Sequence, residues 1–176
     1  MVAKDLKAQL SGGTRTSVGE APKIIKQASA SPEVLDEIYS LFLDDDPVVA
    51  MRASYVAMKV AETDPESTWG FKNKVMRELP RYTQQEVRWH IPQLLIHMNL
   101  TPAQRRKAYA QVMEWSETDK SKIVAYYGLE AAAQFVEVDG KLESDFAPRL
   151  RKLNKMGAAS VSSRCRKIAK RLDIEL

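Results

Sequence analysis

The residues with the widest chemical repertoire are the two histidines, His90 and His97, since imidazole serves as acid, base or metal ligand near neutral pH. They stand seven residues apart in TQQEVRWHIPQLLIHM, roughly 10 Å along a helix axis. A helical zinc pair needs an i, i+4 spacing, so the pattern predicts polar surface residues, or a Glu86–His90 pair, and no shared metal. Three adjacent aspartates, Asp44, Asp45 and Asp46, raise a second metal question. Further oxygen ligands at loop spacing are missing, and Pro47 follows, so the run reads as the cap of a helix. Gly12-Gly13-Thr14-Arg15 could cradle an anion only in a strand–loop–helix context that is not there, which leaves a flexible loop. Cys165, the one cysteine, reads as a buried thiol. No nucleophile elbow, Walker loop, dinucleotide fingerprint or Cys-x-x-Cys pair occurs. No catalytic residue, metal or cofactor is therefore expected.

Composition narrows the class. The chain has 176 residues, 44% hydrophobic residues and a net charge of +4, enough for one domain with a core or for a short solenoid. A single cysteine rules out a disulfide framework and suits a reducing compartment. No run has signal-peptide character or the 18 or so apolar residues of a membrane span. A soluble, cytoplasmic protein is the expectation, without membrane contact.

The elements that position these residues repeat. From Val87, apolar residues recur at Ile91, Leu94, Leu95 and Met98, one face of a 3.6-residue period. The same offsets select Val49, Ala53, Val56, Ala57 and Val60, then Val124, Gly128, Ala131, Ala132 and Phe135. They select Val161, Cys165, Ile168, Ala169 and Leu172 last. The starts are spaced by 38, 37 and 37 residues, an internal repeat. Eleven residues upstream of each start stand Ile38, Met76, Met113 and Leu150; eight upstream stand Leu41, Leu79, Ser116 and Leu153. Each repeat is thus a helical hairpin: 32–43 with 47–62, about 70–79 with 84–98, 102–115 with 120–136, and 142–156 with 159–172. Thr83 with Glu86 and Thr101 with Gln104 are capping-box patterns for the helices that follow. Pro92 and Pro148 fall inside helices, where each removes an amide donor. Residues 1–20 read as a short polar helix over 1–10 and a Gly/Ser/Thr linker over 11–20; residues 21–176 read as one domain.

The caps DDDPVV, TQQEVR and DKSKIV, with the apolar pattern after each, make the chain resemble the HEAT-repeat family of armadillo-like α-solenoids. The segments EVRWHIPQLL and SKIVAYYGLEAAAQF are similar to those of short bacterial HEAT-repeat proteins. The resemblance covers about residues 32–172. It implies an all-α, right-handed α-solenoid of about four hairpins with a period of about 37 residues. It leaves activity open.

In such a solenoid the second helices, starting near 47, 84, 120 and 159, line the concave side. Residues two, six and nine positions past each start face away from the core stripe, and those three and ten positions past it flank them. On the first helix these include Arg52, Tyr55 and Lys59, and on the second Trp89, His90, Gln93 and His97. On the third they include Tyr126, Tyr127 and Glu130, and on the fourth Arg164, Lys167 and Arg171. Aromatic anchors beside cations suit a recognition groove; the same rings would also fit between repeats or under the N-terminal 28 residues. Nine basic residues and no acid lie between Phe146 and Leu172. The expected function is a non-catalytic binding module or scaffold for a protein or peptide. Nucleic-acid binding through the basic last repeat is the alternative. A third, since HEAT-like repeats also build DNA alkylation-repair glycosylases, makes Glu130 the candidate carboxylate.

Overall fold

The computed structural model describes residues 5–176, and those residues form helices joined by turns and loops, with no strand among them. They divide between Asn99 and Leu100 into two compact units.

The first unit carries α1 (Leu6–Leu10), α2 (Ala21–Ala30), α3 (Pro32–Ser40), α4 (Pro47–Thr63), α5 (Pro65–Thr68), α6 (Lys72–Glu78) and α7 (Gln85–Leu95). Short 3-10 turns extend α3 over Leu41–Leu43 and α6 over Leu79–Arg81. Helix α4 is its hub, touched by α1, α2, α3, α5 and α7. Its N-terminus is fixed by Asp46, whose carboxylate accepts from the Val48 amide at 2.8 Å, with Pro47 in the first turn where no amide is lost. A helix at the centre must be apolar nearly all round, and α4 is. Beyond its stripe, Ala50, Met51, Met58 and Ala61 are buried too. Met51 and Met58, expected on the open face, belong to the core because helices also cover that side.

The second unit carries α8 (Pro102–Thr118), α9 (Lys122–Val138), α10 (Glu143–Met156) and α11 (Ala159–Leu172). Thr101 and Gln104 close a complete capping box at α8, the side chain of each bonding the other's backbone amide at 3.3 and 3.0 Å. Helix α9 packs against α8, α10 and α11. The one polar residue in the upstream register, Ser116, is buried and bonds its own helix, donating to the Val112 carbonyl at 2.7 Å. Opposite it stands Gly128. A Cβ there would overlap the Ser116 hydroxyl and lie 2.9 Å from the Val112 oxygen, so only glycine lets α9 approach α8 this closely.

All four apolar stripes are buried except at Leu172, which is half-buried. Three expectations need correction. Helix α7 begins at Gln85, not at a Thr83 cap, and no side chain caps it. Thr83 is exposed, while the Glu86 carboxylate is buried and pairs with the half-exposed Arg15 instead of capping the helix. Helix α7 also ends at Leu95, short of Met98, in a tightened turn where the His97 and Met98 amides donate three residues back. Finally, in the described part of the expected 1–10 helix Asp5 is the cap and Leu6–Leu10 are helical; residues 1–4 lie outside the described residues.

Candidate recognition surfaces

In the first unit the expected groove residues are drawn into the protein's own structure. Arg52, expected as a ligand contact, is 3% exposed. Its guanidinium donates to the backbone carbonyls of Leu10 (2.8 Å), Ser11 (3.0 Å) and Ser17 (2.9 Å). A charge is tolerated there because three acceptors replace its water. It ties residues 5–20 to α4. Gly19 has φ +50°, and a Cβ would stand 2.8 Å from the guanidinium carbon, so the loop needs glycine at that contact. The segment's other anchors are Leu6 and Leu10, both buried, and two ion pairs, Lys7–Asp44 at 2.8 Å and Arg15–Glu86 at 3.4 Å.

His90 is buried beside this segment's partner helix. Its Nδ1 shares a 2.9 Å hydrogen bond with the Ser54 hydroxyl, which is also 2.9 Å from the Met51 carbonyl. Tyr55 and Trp89 flank the ring at 5.8 and 5.7 Å. Burial, helped by the Lys59 charge, lowers its pKa to about 3, so the imidazole is neutral at pH 7. Lys59 pairs with Glu62 at 2.7 Å and lies 5.8 Å from the Tyr55 ring centroid. The Gln93 amide donates to the Trp89 carbonyl at 2.8 Å. His97 is half-buried, and its carbonyl accepts from the Trp69 indole at 3.1 Å.

In the second unit the expected residues assemble, except Lys167, which is exposed outside the cluster. Arg164 on α11 lies over the Tyr126 ring of α9, 3.9 Å from the centroid, and pairs with Glu130 at 2.9 Å. The other Glu130 oxygen takes Arg171 at 2.7 Å, and Arg171 also reaches Glu137 at 2.9 Å. Tyr127 meets Tyr126 edge-on at 5.2 Å. The rings are half-buried, and the Arg164 side chain is 18% exposed. Burial, then the neighbouring Arg171 charge, pulls the Arg164 pKa down, yet a guanidinium stays charged. Charge here is balanced by two acids against two arginines.

The basic run therefore splits. Arg149 is taken by Glu117 in a two-pronged pair at 2.8 and 2.9 Å and by Asp145 at 3.1 Å, and Arg151 donates to the Glu175 carbonyl. Lys152, Lys155, Arg166, Lys167 and Lys170 have no ion-pair partner among the described residues. Cys165 is buried, and burial pushes its thiol up to about 11, an unreactive state.

Hollows among the described residues lie elsewhere, and none of the expected groove residues lines the two that follow. One of about 350 Å³ sits between the α8–α9 and α10–α11 turns, with Lys120, Ser121, Lys152, Leu153, Met156 and Val161 in its wall. One of about 270 Å³ lies between the turn after α3 and the turn before α7, lined by Asp44, Arg81, Tyr82 and Gln84. The signal for the first was available in the repeat, since Lys120 and Gly157 are 37 residues apart, at matching turns. No group of three His, Cys, Asp or Glu side chains able to hold a metal occurs among the described residues. No helix among them is long and apolar enough to cross a membrane. Set against family models, curated proteins and solved structures, the chain matches none.

Proposed function

We propose that this is a non-catalytic binding protein that recognises a protein or peptide partner, built as a right-handed HEAT-like α-solenoid of four hairpins. The solenoid reading is supported by stripes that recur at 38, 37 and 37 residues and by their burial in each unit. The binding reading rests on one observation: the Tyr126–Arg164–Glu130–Arg171 cluster on α9 and α11. Each side chain is held by a neighbour and still keeps an edge toward solvent. Tyrosine and arginine so fixed lose little further entropy when a partner arrives, which is how interface anchors gain affinity. The near-neutral charge of the cluster favours a protein surface over a polyanion. It also disfavours the glycosylase reading, because both oxygens of Glu130 are already committed to arginines.

A second reading, nucleic-acid binding, is favoured by the five unpaired cations of α10 and α11. Titrations separate the two. Labelled duplex DNA and single-stranded RNA are expected to bind weakly and to lose affinity steeply with salt, as phosphate contact requires. A peptide selected from a displayed library should hold its affinity between 0.1 and ~0.5 M salt, where surface charge is screened. That affinity should fall at least tenfold in Tyr126→Ala. Selected peptides unaffected by Tyr126→Ala would defeat the proposal.

A further inference from the structure

We infer that the α4–α7 face of the first unit is a binding site for basic, amphipathic protein segments, and that residues 5–20 of the chain occupy it as an internal ligand. The inference stands on the first unit alone and is independent of the cluster on α9 and α11. Its first support is the kind of contact made. Arg52 reads the segment through three backbone carbonyls of a helix end and the loop that folds back from it, so this contact asks for a loop path with glycine at Gly19 and not for particular side chains. The side-chain demands are few: two apolar residues four apart, Leu6 and Leu10, a cation for Asp44 and a cation for Glu86.

The second support is an imperfect fit. Glu86 is 4% exposed, and its Oε2 is buried with no hydrogen-bond partner. Arg15 approaches only Oε1, at 3.4 Å, with more than half of its own side chain in solvent. A buried carboxylate oxygen without a donor is costly, and an arginine entering end-on would satisfy both oxygens at once. The internal segment therefore leaves the strongest polar contact of the site unmade. It also has little else to hold it: α1 is five residues long, and residues 11–20 are exposed throughout. A segment so tethered is positioned to give way to an outside one with a better-placed arginine.

The test uses the full chain and a fluorescein-labelled synthetic peptide of residues 5–20. In the Leu6→Glu/Leu10→Glu variant the internal copy is weakened, and the peptide should bind saturably, at least tenfold more tightly than to the unaltered protein. Adding Arg52→Gln should reduce that binding at least tenfold, and a Lys7→Glu/Arg15→Glu peptide should bind at least tenfold more weakly. If the double glutamate variant loses helicity beyond α1, the full-chain Lys7→Glu/Arg15→Glu variant, which alters only exposed cations, takes its place with the same readings. No saturable binding to a folded variant, or equal binding of the acidic peptide, overturns the inference. Neither result touches the Tyr126→Ala test in the second unit.

Discussion

At the scale of single residues, burial decides what His90 can do. Its folded pKa is about 3, against roughly 6.5 in an unfolded chain. Above pH 6.5 both states are neutral, and the group adds no pH dependence. As pH falls from about 6.5 toward 3, the unfolded chain takes up a proton that the folded chain refuses, so stability declines by up to about 1.4 kcal/mol per unit. Denaturant melts should show a loss of roughly 2 kcal/mol between pH 7 and 5, and His90→Asn should remove more than half of that slope. Glu130 is the second test. Glu130→Gln leaves two partly buried arginines without their shared carboxylate and should cost roughly 1–3 kcal/mol, between the limits for exposed and buried pairs. Arg164→Lys keeps the charge and loses the flat stack on Tyr126, so it should weaken both stability and partner binding. The positions of Tyr126, Glu130, Arg164 and Arg171 on facing helices followed from the repeat. The fate of Arg52 did not, because its partners are carbonyls of residues 10 to 17, and a backbone acceptor leaves no mark in a sequence.

At the scale of elements, periodicity carried most of the information. The α3–α4, α8–α9 and α10–α11 pairs, the Thr101 box and the buried stripes follow from spacing and caps, whereas α7, expected to pair with α6, packs on α4. The Thr83 box failed because a tertiary ion pair claimed the glutamate that the local motif needed. The N-terminal segment was equally hidden: a five-residue helix has no local stability, and what holds it is tertiary, the two inserted leucines, the Arg52 bonds and two ion pairs. That makes a contrast measurable. Leu94→Ala, deep in α7, should cost about 2–5 kcal/mol, whereas Leu10→Ala should cost less than about 2. On the inference that residues 5–20 can give way, their local opening bounds the loss. The α8–α9 contact gives another. Gly128→Ala should destabilise by roughly 1–3 kcal/mol or more, since the added methyl has no room. Combining it with Ser116→Ala removes the hydroxyl overlap and leaves the Val112 carbonyl in place, so a double-mutant cycle should recover only part of the loss.

At the scale of the whole molecule, two all-helical units each bury their own stripes, and each offers a surface of different chemistry. The second presents a fixed, charge-balanced aromatic cluster; the first presents buried Arg52 and Glu86 already engaged with residues 5–20. We read both as surfaces for protein chains, while the cations of α10 and α11 without an ion-pair partner among the described residues favour the nucleic-acid alternative. The all-α class was legible in the repeat, but a partner was not, because a binding surface is written in exposed residues that no periodicity constrains. The most direct measurement is a capture experiment from source lysate treated with nuclease and washed at moderate salt. It compares the unaltered chain with Tyr126→Ala and with Lys167→Glu/Lys170→Glu. The expected result is a defined protein that survives both treatments, is lost with Tyr126→Ala and is retained by the charge-reversed variant. Retention that disappears with nuclease, or that depends on Lys167 and Lys170 and not on Tyr126, would contradict it.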